Sequence, residues 1–220
     1  MLDKFKSKIR GKITVPTWVT AKNGSLIPVV ALGAECFKGC SNITHCFFDN
    51  KFNEIYLRAF LSESFNTCEN LQYLEIPNTV NLIDEKACMS CAKLTTSSIS
   101  NDLIIGGNVT KIGAQAFSLG GDTNMKTTSS NIILGAKIKY LNEEAFGRID
   151  RGPGQITIGT ANAATELETI KSDTFVRNPG FDSYSTLTVY CRNAEHEAQL
   201  KSSLSTLSSV ISIVYANAKA

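Results

Sequence analysis

A short phrase recurs along this sequence at a nearly constant interval. In its clearest copy, Ile112-Gly-Ala-Gln-Ala-Phe117, an apolar anchor residue is followed four residues later by a small residue and five residues later by phenylalanine. The six anchors are Leu32, Ile55, Ile83, Ile112, Leu141 and Ile170, with successive intervals of 23, 28, 29, 29 and 29 residues. Self-similarity at a fixed period of about 20–50 residues is the mark of a repeat architecture. The repeat therefore predicts a chain of stacked, similar units.

Three further columns accompany the anchors. The small column is Cys36, Ala59, Ala87, Ala116, Ala145 and Thr174. The phenylalanine column is Phe37, Phe60, Cys88, Phe117, Phe146 and Phe175. An apolar column three residues before each anchor is Val29, Phe52, Val80, Val109, Ile138 and Leu167. One unit is too small to bury these side chains alone, whereas stacking places each column on its own copies and builds a continuous core.

Each unit also contains a triplet, an apolar-x-apolar segment with the period of a β-strand. The triplets start at Ile13, Cys46, Leu74, Leu103, Ile132, Ile156 and Leu187. Because successive strand residues point to opposite faces, the outer two residues of a triplet should face the core and the middle one should face away. The residue after the anchor is Gly33, Asp84, Gly113 or Asn142 in four units, types that tolerate a positive φ in a tight turn.

Three strings carry a family resemblance: residues 30–43 (VALGAECFKGCSNI), 71–80 (LQYLEIPNTV) and 109–117 (VTKIGAQAF). They resemble the BspA-like leucine-rich repeats of bacterial and protist surface proteins and some phages, over roughly residues 13–190. The resemblance implies adhesion or protein binding. Together with the periodicity, it predicts an α/β repeat solenoid of the leucine-rich-repeat type. We expect about six units with short strands and short helical turns, and a C-terminal helix–strand cap.

The two ends differ from the repeats. Residues 1–12 form a basic tail or a cap on the first unit, with membrane-surface or nucleic-acid contact as the alternative. The solenoid spans residues 13–190. Residues 191–220 form the C-terminal cap, with a helix from Arg192 to Leu207 and a closing strand from Val210 to Tyr215, because the last open edge of a solenoid needs a cover.

Net charge and hydropathy limit the classes of partner that we expect for this chain. The net charge is only +2, so we expect no nucleic-acid partner, which would normally meet a strongly basic face. No apolar run approaches about 18 residues, and so no membrane span is expected. No signal peptide is visible either. This favours a cytoplasmic or virion-associated protein, unless the chain is the mature form of a secreted one; the compartment stays open.

We expect no catalytic residue, metal ligand or cofactor. Cys88-Met-Ser-Cys91 has redox or zinc spacing, but Cys88 occupies the phenylalanine column, and Cys91 lies eight residues after its anchor, as Cys40 does. Cys68 joins that column if five extra residues are allowed. Core packing is the favoured interpretation, ahead of a disulfide, metal binding or redox chemistry. The histidines, a strand-lining His45 and a surface His196, lack partners for a triad or metal site.

Glycine-rich stretches mark two insertions, Ser118 to Ser130 and Arg148 to Gly154. Both lack the Lys-Ser/Thr of a phosphate loop, and we interpret them as insertion loops, which could be binding loops.

The middle residues of the triplets predict a binding stripe, with Ile104 and Ile133 at its centre. A freely solvated sheet face would carry polar residues there, and an exposed apolar patch marks an interface. The alternative is that the Ser118–Ser130 insertion folds over the two isoleucines. The predicted partner-binding residues are Phe47, Glu75, Ile104, Ile133 and Thr157.

The favoured function is therefore a non-enzymatic interaction module that binds a protein or a cell-surface ligand. The alternative is a structural or receptor-binding subunit of a phage virion or another large assembly, with self-association.

Overall fold

The computed structural model describes residues 6, 8–49, 57–97, 99–100, 102–119, 131–147, 155–171, 173–175, 186–205 and 212–219. The chain winds into a solenoid of about six turns, and each turn contributes one strand to each of two sides. The leucine-rich-repeat fold predicted from the family resemblance and the periodicity is confirmed. The division into tail, solenoid and cap stays a prediction.

One side of the solenoid consists of the triplet strands, arranged in two parallel sheets. The N-terminal triplet sheet contains β1 (Gly11–Val15), β5 (Ile43–Phe48) and β7 (Tyr73–Leu74). The C-terminal triplet sheet contains β9 (Leu103–Ile105), β11 (Asn131–Leu134), β13 (Gln155–Ile158), β15 (Thr186–Cys191) and β16 (Ile213–Asn217).

The opposite side is the anchor sheet, in which two-residue strands are stacked in parallel. Its strands are β4 (Ala31–Leu32), β6 (Ala59–Phe60), β8 (Leu82–Ile83), β10 (Lys111–Ile112), β12 (Tyr140–Leu141) and β14 (Thr169–Ile170). An antiparallel hairpin of β2 (Trp18–Thr20) and β3 (Leu26–Pro28) is inserted between β1 and β4.

The pairing of the anchor sheet corrects the alignment of the second unit. Phe60 pairs with Leu32 on one side and Ile83 on the other, so Phe60 is the second anchor. The intervals from Leu32 to Phe60 and from Phe60 to Ile83 are thus 28 and 23 residues. Assigning Phe60 to the phenylalanine column was wrong, and Ile55, the predicted anchor, lies outside the described residues, as does Phe52. The short interval therefore follows the second anchor instead of preceding it.

The corrected register restores every column in the second unit. Leu57, Ser64 and Phe65 take the apolar, small and phenylalanine positions, and all three are buried. Cys68 now lies eight residues after its anchor without any insertion, as Cys40 and Cys91 do.

Stacked rings fill the core beside the turns. Phe37 stacks on Phe65 with ring centroids 5.2 Å apart, and Phe146 lies 5.4 Å from Phe117 and 5.5 Å from Phe175. Cys88, in the third unit, separates the two stacks. Offset stacking at these distances adds to the stabilisation from burying apolar surface.

The turn after each anchor is tighter than the predicted helical turn. Within the described part of residues 11–191 no α-helix occurs. Positive φ was predicted one residue after the anchor, and this is wrong, because it falls three residues after: Glu35, Glu63, Lys86, Gln115 and Glu144. Gly113 is needed for its small size, because a Cβ at this position would lie 2.5 Å from the backbone nitrogen of Glu85 in the neighbouring turn.

The C-terminal end is closed by a helix and a strand. The N-cap of helix α1 (Ala194–Ser203) is Asn193, whose side chain accepts a hydrogen bond from the backbone N–H of His196. Strand β16 pairs in parallel with β15, although it begins later than the predicted Val210, which lies outside the described residues. The side chains of Leu200 and Leu204 are buried, so α1 covers the last turn of the core.

Phe117→Ala should lower the free energy of unfolding by about 3–5 kcal/mol, the usual range for a deleted core aromatic. Phe117 is 6% exposed and stacks on Phe146, so the cavity lies inside the solenoid. Val30→Ala, at a side chain that is 54% exposed, is the control and should change stability by less than about 0.5 kcal/mol. Urea denaturation followed by circular dichroism measures both; an unchanged midpoint for Phe117→Ala would contradict the column assignment.

Candidate partner-binding face

The outer face of the C-terminal triplet sheet carries one continuous row of side chains. Ile104 pairs with Ile133, Ile133 with Thr157, Thr157 with Thr188, and Thr188 with Val214. The flanking residues of the β9, β11, β13 and β15 triplets are buried, so the row points away from the core. Three of the five predicted partner-binding residues, Ile104, Ile133 and Thr157, are therefore neighbours on one face.

Two of these neighbours are aliphatic. Ile104 is 37% exposed and Ile133 is partly exposed, in positions that Thr157 and Thr188 fill with hydroxyls. Of the insertion that could fold over them, residues 120–130 lie outside the described part of the chain. Val214, at the far end of the row, is 48% exposed.

The N-terminal triplet sheet presents a different chemistry. Its outer face has one row of Lys12, His45 and Tyr73 and a second row of Thr14 and Phe47, followed by Glu75 just beyond β7. The Glu75 carboxylate accepts the backbone N–H of Phe48 at 2.8 Å, which fixes that side chain beside Phe47. The remaining two predicted residues, Phe47 and Glu75, thus lie together, but on a different sheet from Ile104.

Three rings meet on this N-terminal face. The centroids of His45 and Phe47 are 6.1 Å apart, those of His45 and Tyr73 are 6.3 Å apart, and those of Phe47 and Tyr73 are 5.2 Å apart. We call His45, Phe47 and Tyr73 the aromatic cluster. All three side chains are partly exposed. Burial, and then the nearby Glu75 carboxylate, raise the pKa of Tyr73 above its usual range, so its phenol is neutral.

A short segment separates the two triplet sheets. Thr95 forms a parallel bridge with Tyr73, and the hydroxyl of Thr96 both accepts the backbone N–H of Ile104 at 2.6 Å and donates to its carbonyl at 2.5 Å. The following loop holds Ile99 at its surface, 95% exposed. The side chain of Asp102 ties this loop to β11 by accepting from Asn131 at 2.8 Å.

The cysteines pack in the core, as predicted. All seven thiols are free, and every one is buried except Cys36, which is partly exposed. The Cys68 thiol donates to the carbonyl of Phe37 at 3.1 Å, and that of Cys91 donates to the carbonyl of Phe65 at 3.2 Å. Cys68 and Cys91 therefore each bond to the preceding turn. Burial raises the pKa of Cys36 to about 11 and that of Cys68 to about 12, which makes these thiols poor nucleophiles.

A polar cleft of about 510 Å³ lies between the anchor-sheet side and α1. Lys139 lines it and pairs with Glu168 at 3.0 Å and Glu166 at 3.9 Å, which compensates its charge. His196, predicted on the surface, is only 7% exposed, because its Nδ1 accepts the backbone N–H of Arg192 at the start of the helix. Burial, and then Arg192, lower the pKa of His196, so the ring is neutral at pH 7.

Within the described residues, no group of three His, Cys, Asp or Glu side chains is arranged to hold a metal ion. None of the helices in that part of the chain is long and apolar enough to cross a membrane.

Comparison with known proteins agrees with this geometry. The family model of the "BspA type leucine rich repeat region (6 copies)" matches residues 27–64, from the hairpin to the second turn. Residues 27–64 thus resemble this family, and the solenoid as a whole has the leucine-rich-repeat fold. No curated protein matches it significantly.

Two solved structures resemble this leucine-rich-repeat chain. A leucine-rich repeat protein from Bacteroides ovatus ATCC 8483 has a TM-score of 0.50 and 20% identity, over 82% of this chain and 42% of that one. A leucine rich cell surface protein from Faecalibacterium prausnitzii A2-165 has a TM-score of 0.42 and 16% identity, over 82% of this chain and 59% of that one. The chain thus spans less than two thirds of either protein, and at 20% identity the first similarity shows the fold alone.

The repeat pattern contained signals for site residues that sequence reasoning missed. His45 and Tyr73 stand two residues before Phe47 and Glu75, so strand alternation places them on the same face. Val214 is the middle residue of one more triplet, Ile213-Val214-Tyr215. Ile99 lies in a connecting loop, which has no periodic signal.

Most of the seven thiols should be unreactive in the folded protein, because burial disfavours the thiolate that reacts. Titration with an aromatic disulfide reagent at pH 8, with and without guanidinium, should label few thiols in the native state and all seven on unfolding. Rapid native labelling of most thiols would contradict the core placement. Incomplete labelling of the unfolded, unreduced chain would indicate disulfides.

Stability should fall as the solution becomes alkaline. Cysteines in the unfolded chain lose their protons near pH 8.5, whereas the raised pKa values keep the folded thiols protonated. Their contribution to the free energy of unfolding is therefore fully present below pH 8.5 and decreases above it. Tyr73 shifts in the same direction. Urea midpoints at pH 7 and pH 10 measure the loss, and Cys68→Ala should reduce the difference between them. If the urea midpoints of this variant differ between pH 7 and pH 10 by as much as those of the wild type, or by more, Cys68 does not contribute to the pH dependence.

Proposed function

We propose that this leucine-rich-repeat protein is a non-enzymatic interaction module that binds a protein or a cell-surface ligand through the outer face of its triplet sheets. The observation that supports the proposal most directly is the pair Ile104 and Ile133. They are aliphatic neighbours in paired strands, and the same row continues with threonines. The fold accepts a hydroxyl at these positions, so burial in the core does not account for the isoleucines.

The physical properties of the pair suit a binding surface. Strands in a sheet are about 4.8 Å apart, so Ile104 and Ile133 present one contiguous apolar area. The Thr96 hydroxyl holds both backbone groups of Ile104, and β9 pairs with β11, so little backbone entropy is lost when a partner docks. Apolar side chains at the centre of an interface with a polar surround contribute most of the binding energy. Thr157 and Thr188 supply such a surround on one side.

Self-association is the second candidate, since an apolar patch serves a copy of the same chain as well as a foreign partner. Val214, at the far end of the same row beyond Thr157 and Thr188, adds a separate exposed apolar side chain near the C-terminal edge of the sheet. A subunit of a phage virion or another large assembly would use this surface between copies. Neighbouring genes that encode tail or capsid proteins would favour this candidate.

The double variant Ile104→Glu, Ile133→Glu tests both. It should abolish capture of the partner, or lower the mass in sedimentation runs if the chain self-associates, with an unchanged melting temperature. Two carboxylates in place of an apolar contact oppose docking, but neither enters the core. Val30→Glu with Thr169→Glu, at exposed positions outside the triplet sheets, is the control and should retain association. A collapsed melting temperature would place the isoleucines in the core, and unchanged association would remove them from the interface.

A further inference from the structure

We propose that the aromatic cluster of His45, Phe47 and Tyr73 binds carbohydrate, by stacking on the C–H face of a neutral sugar chain. The inference rests on the proposed function, in which the outer face of the triplet sheets is the binding surface, and it names the ligand class for the N-terminal half of that face.

The first step is that the fold does not need these rings. The inward positions of β5 and β7 are filled by Ile43, Cys46, Phe48 and Leu74, all buried, so the cluster adds nothing to the core beneath the sheet. At the position of Phe47 in other turns stand Thr14, Thr157 and Thr188. Threonine is a good strand residue and is compatible with the same strand backbone. Three partly exposed rings in adjoining positions therefore call for a reason outside folding.

The second step is the shape of the cluster. The rings of His45 and Phe47 are stacked, with an interplanar angle of 19°, and the ring of Tyr73 is tilted by 35–36° to both. All three centroids lie within 6.3 Å of one another, so the rings form one aromatic patch. The strands beneath are paired, His45 with Tyr73 and Thr14 with Phe47, which holds this surface rigid before a ligand arrives.

The third step is the polar surround. Lys12 lies beside His45 on one edge, and Glu75 follows Tyr73 on the other, so the local charges balance. Hydroxyls stand at Thr14, Thr44 and Thr95, with that of Thr44 3.1 Å from the Nδ1 of His45. The surround thus contains both hydrogen-bond donors and acceptors. Sugar hydroxyls need both, whereas the C–H face of a pyranose is attracted by the negative face of an aromatic ring.

Other ligand classes fit this chemistry less well. Single-stranded nucleic acid also stacks on aromatic rings, but it requires a positively charged groove along its backbone. A cationic ligand would gain from the rings and Glu75, but it would meet Lys12. An apolar peptide would match the aliphatic pair on the neighbouring sheet better than rings surrounded by hydroxyls and charges. A neutral polyhydroxylated chain matches all of these features.

Isothermal titration with hexasaccharides tests the proposal on the full chain. The probes are β-1,4-glucan, α-1,4-glucan, xylan, mannan, galactan and chitin hexasaccharides, together with the deoxynucleotide dT12. At least one hexasaccharide should bind, and Phe47→Thr with Tyr73→Thr should weaken it about tenfold or more. Threonine stands at the position of Phe47 in three other turns and at that of Tyr73 in the β15 turn, as Thr186, so the variant should melt like the wild type. Tyr140→Thr, which removes an exposed ring from the anchor sheet, should leave binding unchanged.

Failure of this proposal is distinguishable from failure of the proposed function. The variant Ile104→Glu, Ile133→Glu should keep the sugar affinity, because it changes the other triplet sheet. No binding of any hexasaccharide, binding that survives loss of both rings, or binding of dT12 alone would overturn the carbohydrate site. Partner capture that persists in the Phe47/Tyr73 variant and is lost in the isoleucine variant would then leave the interaction function standing.

Discussion

The backbone hydrogen bonds between successive turns are the interaction on which this structure depends. On the anchor side, the N–H of Gly113 donates to Ile83 at 2.8 Å, and that of Asp84 donates to Phe60 at 2.9 Å. On the turn side, the N–H of Phe65 donates to the carbonyl of Ala87 at 2.7 Å. The triplet sheets form a third ladder. Because each turn bonds to the next on three sides, backbone groups that would otherwise be buried without partners are satisfied within the stack.

This ladder of backbone hydrogen bonds explains why the repeats tolerate so much variation in sequence. Main-chain bonds do not depend on side-chain identity, so a turn needs only apolar residues in its columns and a residue that accepts the left-handed conformation. Glu63 and Lys86 occupy that conformation without the advantage of glycine, at a modest cost in free energy that the neighbouring turns offset. The cysteine column adds side-chain bonds to the same stack, since Cys68 and Cys91 each donate to the turn before them.

The sequence alone predicted the columns and strands well, because burial imposes a residue type at a fixed interval. The register of the second unit could not be decided from it: Ile55-x-x-x-Ala59-Phe60 and Phe60-x-x-x-Ser64-Phe65 both satisfy the motif, and only strand pairing selects the second. The positive φ three residues after the anchor left no compositional trace, since Glu, Lys and Gln occupy it. The binding stripe was predicted as a single row, whereas the Thr95 bridge and the Thr96 hydroxyl divide it into two sheets.

That division has a consequence for the proposed binding face. The N-terminal half offers rings with a balanced polar surround, and the C-terminal half offers an aliphatic pair beside threonines, so the two halves suit ligands of different chemistry. Each half rests on its own hydrogen-bonded sheet, and changes at positions without shared contacts usually have additive effects. Substitutions on one sheet should therefore leave the other intact. A ligand that contacts both halves would gain through effective concentration, because the stacked turns fix the distance between them before binding.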